Sequence, residues 1–158
     1  MQHTLLFFLS FTLVACGANI DVRTPIPHEL ITDSEKGGYR SINIRADEAE
    51  ASSGFIRSLS DNLRQHLSEL ALYPKKEGSL KVRIQIIGYE INGGTSREVM
   101  GVLAGADEVK SRVQVVNTAT DQVVGESIIF TSSAMAYGQK AMAWVHADDI
   151  VTFLSTAD

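Results

Sequence analysis

Hydrophobic and polar positions divide this chain into an apolar front and a longer part in which the two alternate with a period. From Leu5 to Val14 the residues are almost all apolar, and no Asp, Glu, Lys or Arg stands before Cys16. As a helix the ten residues from Leu5 to Val14 reach roughly 15 Å, about half of a 30 Å bilayer core. The segment is too short for a permanent span and has the length of a signal-peptide core, with small residues behind it.

The periodic part begins after a stretch of weak pattern. Residues 17–38 hold two of the three prolines and the pair Gly37-Gly38 but few large apolar side chains. They read as a tether, with a short strand at Glu29–Thr32. "YRSINIRAD" then alternates, with Ile42 and Ile44 on one side, and predicts a strand. Asp47 followed by Glu50 has the spacing of an N-cap and capping box. Behind them Ile56, Leu59, Leu63, Leu67 and Leu70 recur at steps of three and four, which predicts a helix over about 49–72. Pro74 disfavours helical geometry at Tyr73 and marks its end.

Two later segments, "LKVRIQII" (80–87) and "VKSRVQVV" (109–116), alternate with period two and predict half-buried strands. Their likeness fits an internal duplication, or two strands of one antiparallel sheet converging on one pattern, which is the simpler account. "NTATDQ" has turn composition, and "VVGESIIF" (123–130) returns as a third strand. The last element, Gln139 to Leu154, places Ala141, Trp144, Val145, Val151 and Leu154 at helical spacing, with Asp148 and Asp149 beside them. The order β-α-β-β-β-α predicts an α+β fold, an antiparallel meander with two helices packed on one face. The organisation expected is a signal peptide over 1–15, a lipidated N-terminus and tether over 16–38, and one periplasmic domain over 39–158.

Charge and cysteine content narrow the function classes. Lys and Arg number 14 against 19 Asp and Glu, a net charge of −5, and none of these lies in residues 1–15. A nucleic-acid partner, which needs a basic surface, is not expected. Cys16 is the only cysteine. No second Cys stands near it to activate a thiol or share a metal. A buried free cysteine in an ordinary helix is the plain alternative, but a helix with no polar face has nothing to present to water.

"Leu13-Val14-Ala15-Cys16" closely resembles the lipobox of bacterial lipoproteins. The resemblance implies cleavage before Cys16, a diacylglycerol on its sulfur and acylation of its new amino group. The n-region Met-Gln-His-Thr departs from that family in having no Lys or Arg. Two or more acyl chains hold a protein stably on a membrane, where one holds it marginally. In Gram-negative lipoproteins an Asp after the cysteine favours the inner membrane. Gly17 stands there instead, which implies the periplasmic side of the outer membrane.

The most unusual stretch is "NGGTSREVMGVLAGADE" (92–108), which joins the first two matching strands. It has four glycines, and it lacks both the Walker pattern and GxGxxG. Arg97, Met100, Gly101, Val102, Leu103 and Gly105 form a candidate interaction loop. Its apolar side chains either tuck under the sheet or meet a homo-oligomeric partner, an envelope protein or the membrane surface. Residues of about 80–154 resemble an uncharacterised family of small Gram-negative outer-membrane lipoproteins. Gly93, Gly94, Arg97, Ala104-Gly105 and Thr120-Asp121 carry the likeness, and Asp121-Gln122 departs from that family's usual Thr-Gly. The resemblance implies a location and a fold type, with no established activity.

Among the histidines, His28 falls in the tether, His66 beside the first helix stripe, and His146 on the last helix. "HADD" offers a metal at most two ligands, His146 and Asp149, fewer than zinc needs. A polar helix face is the expected setting. No catalytic set, metal site or cofactor is expected from spacing. The expected function is a non-enzymatic, lipid-anchored assembly or adaptor module. The element order resembles, as a fold-level analogy, ring-forming components of secretion and polysaccharide export systems. The alternative is an envelope hydrolase or small-ligand-binding lipoprotein whose site gathers residues distant in sequence.

Overall fold

The computed structural model describes residues 17–32, 37–47, 49–91, 106–133 and 138–156. Its elements are β1 (Gly17–Thr24), α1 (His28–Thr32), β2 (Tyr39–Arg45), α2 (Ser53–Glu69), β3 (Leu80–Glu90), β4 (Asp107–Asn117), β5 (Val123–Ser133) and α3 (Gly138–Ser155). The α+β expectation holds. The five strands form one mixed sheet in the order β1-β5-β4-β3-β2.

The period-two segments become β3, β4 and β5 and pair as an antiparallel meander. The sheet departs from the expected pure meander at both edges. β2 runs parallel to β3, because α2 carries the chain across one face between them and so returns it in the same direction. At the other edge β1 pairs antiparallel with β5, from Gly17 opposite Ser132 to Thr24 opposite Glu126. Residues read as tether therefore belong to the sheet. Their signal was the alternation of Ala18, Ile20 and Val22 with Asn19, Asp21 and Arg23, weak because only Ile20 is even half-buried. The strand expected at Glu29–Thr32 is instead the helical turn α1, which buries Ile31.

α2 is shorter than its pattern suggested. Its N-cap is Ser52, whose Oγ accepts from Phe55 N at 3.1 Å, in place of the expected Asp47. β2 ends only at Arg45, and before the helix Ala49 N donates to Ala46 O at 3.3 Å and Ala51 N to Ala49 O at 2.7 Å. Phe55, Leu59, Leu63 and Leu67 make the buried stripe, while Leu70 is half exposed at the C-cap. There Ala71 takes a left-handed φ of 56°. Leu72 N donates to Leu67 O at 2.8 Å and Ala71 N to Ser68 O at 3.0 Å, closing a Schellman motif.

Both long helices cover the same sheet face and pack on each other. From the sheet, Leu80, Val82, Ile84 and Ile86 of β3 and Val109, Val113 and Val115 of β4 point into this core. Ile26 is fully buried against Gly125, where an added Cβ would stand 2.6 Å from its Cγ1, so the position requires glycine. On α3 the buried side is Met142, Ala143, His146, Ala147, Ile150, Val151, Phe153 and Leu154. Val151 and Leu154 of the expected stripe are buried, but at its front the stripe is rotated, with Trp144 about half exposed. Around residues 141–145 the helix is apolar on every side, so its periodicity does not fix which side faces in.

Candidate functional site

The sequence-predicted site residues Cys16, Arg97, Met100, Gly101, Val102, Leu103 and Gly105 lie outside the described residues. The described chain leaves β3 at Ile91 and returns to β4 at Ala106. The predicted turn forms as expected, with Asn117 Oδ1 accepting from Ala119 N at 2.9 Å and Thr120 N at 3.2 Å. His28 bonds Thr32 within α1. His66 meets Trp144 edge to face, with ring centroids 5.7 Å apart, and its Nδ1 lies 3.8 Å from Asp148 Oδ1.

His146 is not on a polar face. It is completely buried between α3 and the sheet, and the sheet supplies its partners. β4 and β5 place hydroxyls at two inward positions of their alternation, Ser111 and Thr131, both with 0% exposure. Ser111 Oγ lies 2.8 Å from His146 Nε2, and Thr131 Oγ1 lies 2.7 Å from His146 Nδ1. Thr131 Oγ1 also donates to Asp149 Oδ2.

Proton counting fixes the direction of this chain. A hydroxyl has one proton. Thr131 gives its proton to the Asp149 carboxylate, so its oxygen accepts from Nδ1–H. Nε2 is then the acceptor for the Ser111 hydroxyl. The order is Ser111 to His146 to Thr131 to Asp149, with the imidazole neutral. Burial enforces neutrality, pushing His146 down to about 3. Burial also holds the half-exposed Asp149 above the usual carboxylate range; the Thr131 bond opposes this and the charge of Asp148 adds to it.

A serine hydroxyl on an imidazole acceptor has the connectivity of a nucleophile and its base. Here the hydroxyl is sealed inside the core, where a substrate carbonyl has no approach. The arrangement satisfies four buried or half-buried polar groups and fixes the register of α3 on β4 and β5. The sequence carried one trace of it: "VKSRVQVV" has Ser111 where its sister segment has Val82–Ile84 type apolar residues. Among the described residues, no three His, Cys, Asp or Glu side chains gather as a metal site.

Among the described residues no helix packs on the other face of the sheet, and across β2, β3 and β4 that face is polar. β2, β3 and β4 form a groove of about 390 Å³, lined by Ser41, Asn43, Arg45, Asp47, Lys81, Arg83, Gln85, Arg112 and Gln114. The pairing registers set these side chains in rows. Arg45 lies opposite Gln85 and Gln85 opposite Arg112; Asn43 lies opposite Arg83 and Arg83 opposite Gln114. At the rim Asp121 Oδ1 accepts from Lys81 Nζ at 2.5 Å and Arg83 Nη2 at 2.8 Å. The hydrogen bond from Lys81 and the charge of Arg83 hold the Asp121 carboxyl below its ordinary range. Among the described residues, Arg45 and Arg112 have no ion-pair partner.

No protein-family model and no curated protein matches the chain. Solved structures do. The chain is similar to the PelC dodecamer from Paraburkholderia phytofirmans in two crystal forms. For one, a point variant, the TM-score is 0.59 at 7% identity; for the other it is 0.55 at 8%. Each match covers 90% of this chain and 100% of that one. A weaker likeness, with a TM-score of 0.37 at 7% identity, is to the lipoprotein GNA1162 from Neisseria meningitidis, covering 73% of this chain and 99% of that one. At these identities the PelC likeness is one of fold.

Proposed function

We propose that this chain is a lipid-anchored lipoprotein of the Gram-negative envelope, held by acylated Cys16 on the periplasmic side of the outer membrane. Its α+β domain serves there as a non-enzymatic assembly module that associates with copies of itself. The observation that carries this reading is the fold shared over 90% of the chain with the subunit of a dodecamer. The lipobox supplies the membrane part, and the candidate interaction loop at 92–108 supplies apolar residues suited to a partner. Mass measurement of the full chain extracted in mild detergent tests the assembly. A closed oligomer is expected, and a monomer at all concentrations overturns it. Cys16→Ala tests the anchor: the variant is expected to leave the membrane fraction or to keep its signal uncleaved.

A second reading, an envelope hydrolase, is favoured by one observation, the Ser111–His146 pair with its Thr131–Asp149 support. The burial of Ser111 weighs against it. A fluorophosphonate probe that labels the native chain, but not Ser111→Ala, would establish this reading in place of the first.

A further inference from the structure

The polar sheet face goes beyond the assembly reading. The protein carries a net charge of −5, yet its groove gathers Arg45, Lys81, Arg83 and Arg112 against Asp47 and the rim carboxylate Asp121. Asp121 is shared between Lys81 and Arg83, which leaves Arg45 and Arg112 without an anion. The two rows form a checkerboard: Arg45, Gln85, Arg112 above Asn43, Arg83, Gln114. Strand spacing sets Arg45 and Arg112 about 10 Å apart, with Arg83 on the diagonal about 8 Å from each. Each guanidinium thus has amides as neighbours, which separates the like charges and alternates donor-only groups with groups that donate and accept.

We infer that this groove binds a linear acidic polysaccharide, its carboxylates on Arg45 and Arg112 and its hydroxyls on the amides. Guanidinium forks match carboxylates in two-point contacts. Val82 and Ile84 reach the groove only with backbone, since their side chains are 1% exposed and point into the core. An acidic peptide that carried apolar side chains at intervals would find nothing there to seat them. No aromatic ring lines the groove, so nucleic-acid bases and uncharged sugars lack a stacking platform.

The test titrates the full chain, in mild detergent, into a fluorescein-labelled oligogalacturonate and follows anisotropy. Neutral dextran and polyglutamate are the comparison polymers. Binding to the galacturonate is expected, weakening as salt rises and falling about tenfold or more in Arg45→Gln/Arg112→Gln, since it loses two charge-assisted contacts. Arg45→Lys/Arg112→Lys, which keeps charge but not the fork, is expected to fall between. Among the described residues neither Arg45 nor Arg112 holds an ion partner, and melting of each variant is expected to match the parent. Equal affinity of parent and Gln variant overturns the groove assignment. Equal binding of dextran overturns the role of charge. Polyglutamate binding as tightly as the galacturonate replaces the glycan with an acidic peptide and overturns the proposal.

Discussion

Tyr39 Oη donates a buried hydrogen bond to Leu154 O at 2.7 Å, joining the first residue of β2 to the last turn of α3. The carbonyls of a helix's last turn have no partner within the helix. Tyr39 satisfies one of them inside the core, and burial raises its own hydroxyl well above the ordinary tyrosine range. Tyr39→Phe leaves the Leu154 carbonyl buried and unpaired. A loss of about 1–3 kcal/mol in urea unfolding is expected, and an unchanged midpoint would show that water replaces the hydroxyl.

His146 makes stability pH-dependent. Its folded value, about 3, lies below the unfolded value of about 6.5. The unfolded state therefore binds the proton first as pH falls. The contribution is fully present above pH 6.5, declines below it, and is gone below about 3. At pH 5 the loss is about 2 kcal/mol. Asp149 acts in the opposite sense as pH falls from its raised value toward its ordinary one. Melting followed from pH 8 to 4 is expected to hold level down to about pH 6.5 and to fall below it in the parent. In His146→Asn, less stable overall, the curve is expected to be flatter across the same range.

Leu63 and Leu70 belong to one sequence stripe but to different environments. Leu63 is fully buried and Leu70 is 50% exposed. Leu63→Ala is expected to cost about 2–5 kcal/mol, and Leu70→Ala within about 0.5 kcal/mol of nothing. Equal costs in denaturant titrations would contradict this placement of the end of α2.

Ala71 at φ 56° occupies the position in a Schellman motif that glycine fills without strain. A non-glycine residue in the left-handed region costs about 1–2 kcal/mol, partly offset by the greater freedom glycine has when unfolded. Ala71→Gly is expected to raise the melting temperature by a few degrees, equivalent to about 0.5–1 kcal/mol. A fall would mean that the alanine methyl makes a contact worth more than the strain.

The parts legible in the sequence were those whose one-sided burial leaves a period. β3, β4, β5 and the body of α2 each bury one face and expose the other. β1 escaped because an edge strand with only Ile20 half-buried needs little apolar content. The parallel placement of β2 escaped because alternation reports burial, and carries no strand direction. The phase of α3 was hidden by apolar residues on all its sides, and with it the burial of His146. The Ser111–His146–Thr131–Asp149 chain brings together residues up to 38 positions apart (149 minus 111). Spacing rules see such a group only when it lies within one element. The groove was half visible, since Lys81, Arg83 and Gln85 stand at alternate positions of one strand pattern, but its depth depends on β2 lying beside β3.

β1 starts at Gly17, directly after Cys16, and Gly17 is paired into one row with Ser132, Glu108 and Glu90. With lipid on Cys16, a single peptide unit of about 3.8 Å separates the mooring from the sheet. The domain is then berthed by a corner instead of hanging on a leash. Under the proposed anchoring the row of four strand positions would stand nearest the headgroups, with the Asn117–Gln122 turn at the far end of the strands, about 30 Å away. Under that anchoring the bearing of the whole module would follow from strand register, and ten flexible residues inserted between Cys16 and Gly17 would set it adrift.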